Sequence, residues 1–313
     1  MPVRIYKASR RRRGTTVRVR PTQARDEALQ RQMEGGVQVS FARGIRSMQA
    51  KVDADTLAAA YMAKDYRRLM REIPMDAIRA AFDATGDRIG RAAAVGAKES
   101  RSLGAIRGLR YDLSNPRLNK YINNRSGALI QNVSNQFQEF VGGLIKRRFA
   151  LGTTTADLAG AMLTPESRRK TAGFVLKYGL GLDTRSANAL AAQAASGDYT
   201  KEQLKQYEND LHVARATRIA RTEVAYAMNF GQLDVWQEAK EQGLVDERAM
   251  KVWTVDGNPC DLCVQMDGIA VGIDEQFIAP NGEEVDAPPL HPACRCVMAL
   301  MTGSDDEAPK NNE

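Results

Sequence analysis

Residues 200–243 read TKEQLKQYENDLHVARATRIARTEVAYAMNFGQLDVWQEAKEQG, and this stretch sets the architecture of the chain. Thr200 followed by Gln203 has the spacing of a capping box, in which each side chain bonds the backbone N–H of the other residue. Helix-forming residues then continue to about Gln242, and Gly243 is the residue type that most often follows a helix end. The stretch therefore predicts one long helix.

The sequence changes character after Gly243. Residues 252–255 (Val-Trp-Thr-Val), 269–271 and 297–301 have the composition of short strands, and Asn281-Gly282 is typical of a hairpin turn. Upstream, Ala, Leu, Arg, Glu and Gln dominate, which favours helices. We therefore expect a mainly α fold with a small C-terminal α+β module, in which the long helix packs on a β-hairpin segment.

Apolar residues upstream follow a helical period. The clearest series steps by three, four or seven residues. Its members are Ile122, Leu129, Val133, Phe137, Phe140 and Leu144. Such a stripe must bury against something, and we expect it to attach the chain to a partner protein. His212, on the long helix, is predicted to be a surface residue.

The N-terminal segment is strongly basic. Residues 1–31 carry ten Lys and Arg residues against Asp26 and Glu27, in a chain of 313 residues with a net charge of +7. Blocks of like charge repel themselves and stay extended until they meet an anion. We expect a flexible basic arm over residues 1–45 that contacts DNA phosphates without reading sequence. The predicted contacts are Arg10, Arg11, Arg12, Arg13, Arg18 and Arg20.

All four cysteines lie within 37 residues, together with one of the two histidines. Cys260-x-x-Cys263 has the spacing of half a zinc site, because two thiolates separated by two residues can bind one ion without strain. His291, Cys294 and Cys296 supply up to three more ligands. Two disulfides, or reduced cysteines without a metal, are the alternatives.

The segment between the two halves is rich in Gly and Pro and poor in core residues. It cannot bury enough apolar surface to offset its ordering entropy, so a metal would explain how it folds. We therefore predict a bound Zn²⁺ that clips the hairpin segment, on which the long helix packs. The expected division is an arm (1–45), a helical region (46–200), a domain with the metal module (201–302) and an acidic tail (303–313).

Several enzyme classes do not fit the sequence. A zinc base deaminase needs His-x-Glu upstream of Pro-Cys-x-x-Cys, whereas His291 follows Cys260 and Cys263. HExxH, phosphate-binding glycine loops and G-x-S-x-G are also missing from the sequence. No run approaches the ~18 apolar residues of a membrane span. We therefore expect neither an enzyme, nor a membrane protein, nor a small-molecule substrate.

Ordered motifs along the C-terminal third resemble a known family. They are Ala220-Arg221-Thr222-Glu223, Asn229-Phe230-Gly231, Trp253, Asp256 with Cys260-x-x-Cys263, Asp267-Gly268 and Pro289-Leu290-His291-Pro292-Ala293-Cys294-Arg295-Cys296. This pattern is similar to that of the Mu F-like phage head-morphogenesis proteins, also called minor head or minor capsid proteins. The similarity is strong from about Arg215 to Met301.

The resemblance implies a structural protein of a phage head. Such a protein would be located in the virion, at the capsid interior or portal vertex, and in the host cytoplasm during assembly. Its implied partners are the portal or the major capsid protein, and packaged DNA. The alternative is a zinc-dependent nucleic-acid enzyme or toxin-like protein whose site includes Glu223 and His291.

A polar motif on the long helix belongs to the matching region. Arg221, Thr222, Glu223 and Asn229 are expected to have a structural role, as a buried ion pair or as a cap for the metal module. Arg215, Arg218 and Arg221 step by three residues, and either pair with nearby acids or face phosphates.

Overall fold

The computed structural model describes residues 21–63, 65–73, 75–102, 106, 109, 112, 115–151 and 165–301. Helices dominate this part of the chain, as the sequence predicted. They are α1 (Pro21–Ala50), α2 (Ala54–Met62), α3 (Tyr66–Arg71), α4 (Met75–Ser102), α5 (Pro116–Leu151), α6 (Pro165–Tyr178), α7 (Thr184–Ser196), α8 (Lys201–Glu241) and the single-turn α9 (Asp261–Val264). Among the described residues, none of these helices combines the length and apolarity that crossing a bilayer requires.

The strands lie in the C-terminal third. They are β1 (Met250–Thr254), β2 (Ala270–Gly272), β3 (Phe277–Ile278), β4 (Glu284–Val285) and β5 (Val297–Met301). One antiparallel sheet has the order β2-β1-β5, with Val252 opposite both Ala270 and Ala299. A second sheet pairs β3 with β4 across the predicted turn, where Gly282 has a φ of 85°. The predicted mainly α fold with a small C-terminal strand module is confirmed.

The long helix begins and ends where the sequence placed its signals. The Thr200 N–H donates to Oε1 of Gln203 at 2.8 Å, and the Gln203 N–H donates to Oγ1 of Thr200 at 3.2 Å. Gly243, with a φ of 67°, follows the helix end in the left-handed conformation that L residues avoid. These contacts confirm the capping box and the single helix over this stretch.

The chain folds into two compact units, each assembled from segments that are far apart in the sequence. Unit 1 contains the described residues of 1–37, 87–123 and 218–313, and unit 2 contains those of 38–86 and 124–217. The predicted linear division into an arm, a helical region, a metal domain and a tail remains a prediction. The tail, 303–313, lies outside the described residues.

In unit 2, four residues of the apolar stripe of α5 are part of the chain's own core. Leu129, Val133, Phe137 and Phe140 are all buried. For these four residues, the prediction that the stripe attaches the chain to a partner is therefore wrong, because the chain itself covers them. Ile122 is half-buried, and the side chain of Leu144 lies outside the described residues. His212 is also buried, contrary to prediction: its Nε2 lies 3.1 Å from Nε2 of Gln49 and 3.0 Å from the carbonyl oxygen of Tyr178.

The prediction of a flexible arm is wrong for residues 21–45, which belong to α1. Apolar residues at four-residue spacing, Val37, Phe41 and Ile45, are buried. The basic residues at the start of the helix are neutralised by acids: Arg31 pairs with Glu27, and Arg25 with Glu99 of α4. The predicted repulsion is thus offset by carboxylates, and Glu99 is too distant in sequence to enter a local charge count.

In unit 1, α4 and α8 pack backbone against backbone. A Cβ on Gly231 would lie 2.0 Å from the carbonyl oxygen of Ala93, and a Cβ on Gly96 would lie 2.1 Å from that of Met228. Each glycine therefore faces the residue three positions before the glycine of the other helix. Unit 1 also holds a buried cluster around Trp236 and Trp253 that includes three of the four cysteines.

Candidate metal centre

Cys260 and Cys263 are positioned by the turn that follows β1. The N–H of Asn258 donates to Oδ1 of Asp256 at 3.1 Å, which closes the turn. Cys260 is the N-cap residue of α9, and its carbonyl accepts from the N–H of Val264 at 2.9 Å. One helical turn thus directs both thiols to the same side, with Cys260 exposed and Cys263 buried.

His291, Cys294 and Cys296 lie in the segment that leads into β5. The N–H of Cys294 donates to the carbonyl oxygen of His291 at 3.2 Å, and Ala293 adopts a positive φ of 64°. This tight turn places the His291 ring and the Cys294 thiol at one end of the strand module. Cys296 follows and is buried directly before β5.

The five predicted ligands come together. Nε2 of His291 lies 3.0 Å from Sγ of Cys260 and 3.2 Å from Sγ of Cys263, and the thiols of Cys263 and Cys294 are 3.6 Å apart. Two sets of three could hold an ion, and each has its ligand atoms within 4.8 Å of one another. The sets are Cys260, Cys263, His291 and Cys263, Cys294, Cys296, so Cys263 belongs to both.

These separations fit a tetrahedral zinc site. Zn–S bonds of about 2.3 Å and Zn–N bonds of about 2.0 Å place tetrahedral ligands about 3.5–3.8 Å apart. The observed distances of 3.0, 3.2 and 3.6 Å come within about 0.5 Å of that range. Three thiols with one imidazole are also a common donor set of structural zinc. All four cysteines are free thiols here.

The pKa values of two thiols favour the ligating form. Backbone hydrogen bonds from Cys263 and Leu262 lower the pKa of Cys260, as the start of a helix does. Hydrogen bonding from Cys296 and from backbone N–H groups lowers the pKa of Cys294 to about 6. Since a metal binds thiolate rather than thiol, these two groups are prepared for coordination.

The pKa values of the other three members of the cluster are raised. Burial and the neighbouring Cys294 raise the pKa of Cys263, and contact with Cys294 raises the pKa of Cys296. Burial opposes the charged form of His291, but its pKa is raised by the Pro292 carbonyl and by Cys294 and Cys260. Nδ1 of His291 lies 3.0 Å from that carbonyl oxygen, which orients the ring with Nε2 toward the thiols.

Two residues of the polar motif on α8 hold the ligand segment. Oγ1 of Thr222 accepts from the N–H of Ala293 at 2.9 Å, and Asn229 donates to the carbonyl oxygen of Cys296 at 3.0 Å. These two bonds hold the backbone at Ala293, directly before Cys294, and at Cys296. Glu223, from the same motif, is buried.

Arg221 and Arg295 share one carboxylate that the sequence prediction missed. Arg295, between two cysteines, binds both carboxylate oxygens of Glu34 on α1 at 2.9 and 2.8 Å, and Arg221 lies 3.8 Å from the same group. The only signal in the sequence was the acid itself, 261 residues from Arg295. Glu34 thus joins α1 to the Cys294-Arg295-Cys296 segment.

The remaining predicted site residues lie elsewhere. Arg10, Arg11, Arg12, Arg13, Arg18 and Arg20 are outside the described residues. A surface cleft of about 420 Å³ is lined by Asp112, Asn115, Pro116, Arg117 and Glu238. Neither Glu223 nor His291 lines it, so it does not favour the alternative of an enzyme built on that pair.

Arg215 of the arginine series pairs within unit 2. It is buried, donates to Oε1 of Gln136 at 2.6 Å and lies 3.8 Å from Asp183. With Arg221 close to Glu34, two of the three arginines contact nearby side chains rather than a free surface.

Comparison with known proteins locates the family signature on this site. Neither curated proteins nor solved structures give a match. The sequence model of the family described as "Phage Mu protein F like protein" matches residues 184–299. That range contains α7, α8, the five candidate ligands and Thr222 and Asn229. Residues 184–299 are therefore similar to the Mu F-like proteins, which confirms the resemblance given by the sequence motifs.

Proposed function

We propose that this protein is a minor head protein that binds the portal or the major capsid protein during phage head assembly. The match of residues 184–299 to the Mu F-like family supports this role most directly. The protein acts without catalysis and without a small-molecule substrate. It is a component of the virion, located at the capsid interior or the portal vertex, and is present in the host cytoplasm during assembly.

The role of the metal in this proposal is structural. One Zn²⁺ is held by Cys260, Cys263, His291 and Cys294, the four residues joined by ligand-atom contacts of 3.0, 3.2 and 3.6 Å. All four positions of a tetrahedral ion would then be filled by protein, which is typical of structural rather than catalytic zinc. The ion supplies folding free energy to a segment whose strands β3 and β4 have only two residues each.

The attachment surface cannot be the α5 stripe, so exposed apolar residues are the better candidates. Val39 on α1 and Val213 on α8 are 54% and 44% exposed. Both lie close in sequence to Gln38 and Thr217, whose side chains bond at 3.0 Å and join the two helices. We assign the contact with the portal or capsid ring to this surface, because burying exposed valines stabilises a complex at no cost to the fold.

Incorporation into heads tests the assignment. The double variant Val39→Glu, Val213→Glu should fold, as far-ultraviolet circular dichroism would show, but fail to co-purify with heads assembled in its presence. Val264→Glu is the matched control, because Val264 is 53% exposed on α9 in the other unit. Wild-type protein that does not join heads would overturn the function. A folded double variant that joins them as well as the control would overturn the surface alone.

DNA binding completes the proposal. The basic residues 10–13, 18 and 20 would contact phosphates of packaged DNA without sequence preference, which the absence of acids in residues 1–20 supports. Replacing Arg10 to Arg13 by Gln should weaken duplex binding and flatten its salt dependence. Unchanged binding would mean that this segment contacts something other than DNA.

A further inference from the structure

A row of cations lies on the outer face of α4 in unit 1. Arg88, Arg91 and Lys98 are exposed, and Val95 between them is half-buried. Their spacing of three and seven residues places them on one helix face. The described part of the chain contains no ion pair to any of the three, and all three side chains are exposed.

The acids of α1 and of α4 itself do not neutralise this row. Asp26 is buried, and Glu34 is engaged by Arg295. Glu27 and Glu99 are largely covered, with side chains 14% and 11% exposed, and each pairs with an arginine of α1. Among described residues 87–99 the exposed acid is Asp87, at one end of the row. The surface therefore stays positive although α1 and α4 contain acids.

Small residues leave the cations accessible. Gly36 of α1 has no side chain, and the Arg88 side chain lies 3.4–3.9 Å from where a Cβ would be. Gly35 beside it is exposed, with nothing within 4 Å of its own Cβ position. The result is a shallow basic face, formed by Gly35, Gly36, Arg88, Arg91 and Lys98, that a rigid polyanion can approach closely.

We propose that this basic face binds the phosphate backbone of duplex DNA. From Arg88 to Lys98 the helix rises about 15 Å, which matches about four phosphates along one strand at about 3.4 Å of axis each. With no exposed aromatic side chain in the row, the contact is to phosphates and is independent of sequence. The choice of DNA among polyanions rests on the proposed role in the phage head.

The basic face lies beside the start of α1. The salt bridge of Arg25 to Glu99, at 2.8 Å, places the first turns of α1 beside the Lys98 end of the row. Residues 1–20, which carry eight Lys and Arg residues and no acid, join the helix at Pro21.

Salt dependence of binding tests the basic face. The full-length triple variant Arg88→Gln, Arg91→Gln, Lys98→Gln is compared with wild type on a random-sequence duplex of about 30 base pairs, between 50 and 200 mM salt. Each lost phosphate contact removes about 0.9 from the slope of log K against log salt, so the slope should fall by about 2.7 in magnitude. Over that salt range, wild type would then lose roughly 40-fold more affinity than the variant.

The control variant changes the same charge elsewhere. Arg67, Arg68 and Arg71 on α3 are also exposed, and replacing them by Gln removes three positive charges from unit 2. This variant should keep the wild-type slope. If it loses as much slope as the α4 variant, net charge and not the basic face controls binding, and the proposal is overturned.

Two further outcomes separate this inference from the proposed function. The same slope change should appear when the α4 substitutions are added to a variant with Arg10 to Arg13 replaced by Gln. If the α4 substitutions leave DNA binding unchanged and instead abolish binding to vesicles containing phosphatidylserine, the ligand is an anionic lipid and the inference fails. Incorporation into heads by the α4 variant would meanwhile leave the assembly role standing.

Discussion

The crossing of α4 and α8 gives a prediction whose size follows from the distances. In Gly231→Ala, the new methyl group would lie 2.0 Å from the carbonyl oxygen of Ala93, 2.9 Å from its carbon and 3.0 Å from the nitrogen of Ala97. All three atoms belong to the backbone, so no side chain can rotate away. An ordinary contact of about 3.4 Å requires the helices to separate by about 1.4 Å.

The cost of this separation exceeds what alanine gains as a helix former. Overpacking costs about 1–3 kcal/mol, and the upper part of that range applies where backbone must move. The higher helix propensity of alanine stabilises the folded state by about 1 kcal/mol relative to glycine. We expect Gly231→Ala to lower the free energy of unfolding by about 2 kcal/mol, which in a unit of this size is roughly 4–8 °C in Tm.

A matched glycine-to-alanine substitution on α1 should change the free energy of unfolding in the opposite direction. A Cβ on Gly35 of α1 would meet nothing within 4 Å, so Gly35→Ala should raise stability by about 0.5–1 kcal/mol. Thermal and urea unfolding followed by circular dichroism measure both variants. Gly96→Ala should behave like Gly231→Ala, and the double variant should cost less than the sum, since the helices have already separated. Equal stability of Gly231→Ala and Gly35→Ala would refute the close crossing.

Two other predictions concern the metal and a buried acid. Protein purified without chelator should contain one Zn²⁺ per chain by elemental analysis. The Cys260→Ser and Cys294→Ser variants should lose the ion, and Cys296→Ser should keep it. Loss of the ion in all three variants would mean that Cys296 is also a ligand. Burial raises the pKa of Asp26 to about 6 from 3.8, against a hydrogen bond from Gln232 that lowers it. The folded state then binds the proton more tightly, so this group's contribution to stability falls as pH rises from about 4 to 6, by up to about 3 kcal/mol. Asp26→Asn should therefore be stabilising at pH 7.5 and close to neutral at pH 4 in urea titrations; an equal effect at both pH values would contradict the buried, proton-binding carboxyl.

Local chemistry explains which features the sequence predicted well. The capping box depends on residues three positions apart, and the pairing of β3 with β4 depends on the Asn281-Gly282 turn between them. The cysteine and histidine cluster required only that two short motifs meet, because thiols and imidazole have few other reasons to share one segment. In each case the interacting residues are close in the sequence or chemically distinctive.

The features that the sequence predicted incorrectly depend on residues that are distant in the sequence and chemically ordinary. Arg25 is neutralised by Glu99, and His212 is covered through Gln49 and the Tyr178 carbonyl. A local count of charges made the first residues of α1 look extended, and a local view of α8 made His212 look exposed. The α5 stripe was read correctly as apolar, but its partner is the chain itself.

The region that matches the family model is held partly by residues outside it. Within residues 184–299, Thr222 and Asn229 bond the ligand segment, and the metal ligands meet one another. Two of the closest supports come from outside that range: Glu34 of α1 holds Arg295, and Ala93 of α4 lies against Gly231. Removing α1 would leave Arg295, which is largely covered, without its bidentate partner, and removing α4 would expose the backbone face of α8 at Gly231. A metal held by the Cys/His cluster would not replace either contact, because both lie beyond the thiols and the imidazole. Within unit 1, the matching residues 218–299 therefore depend on α1 and α4 for two of their contacts.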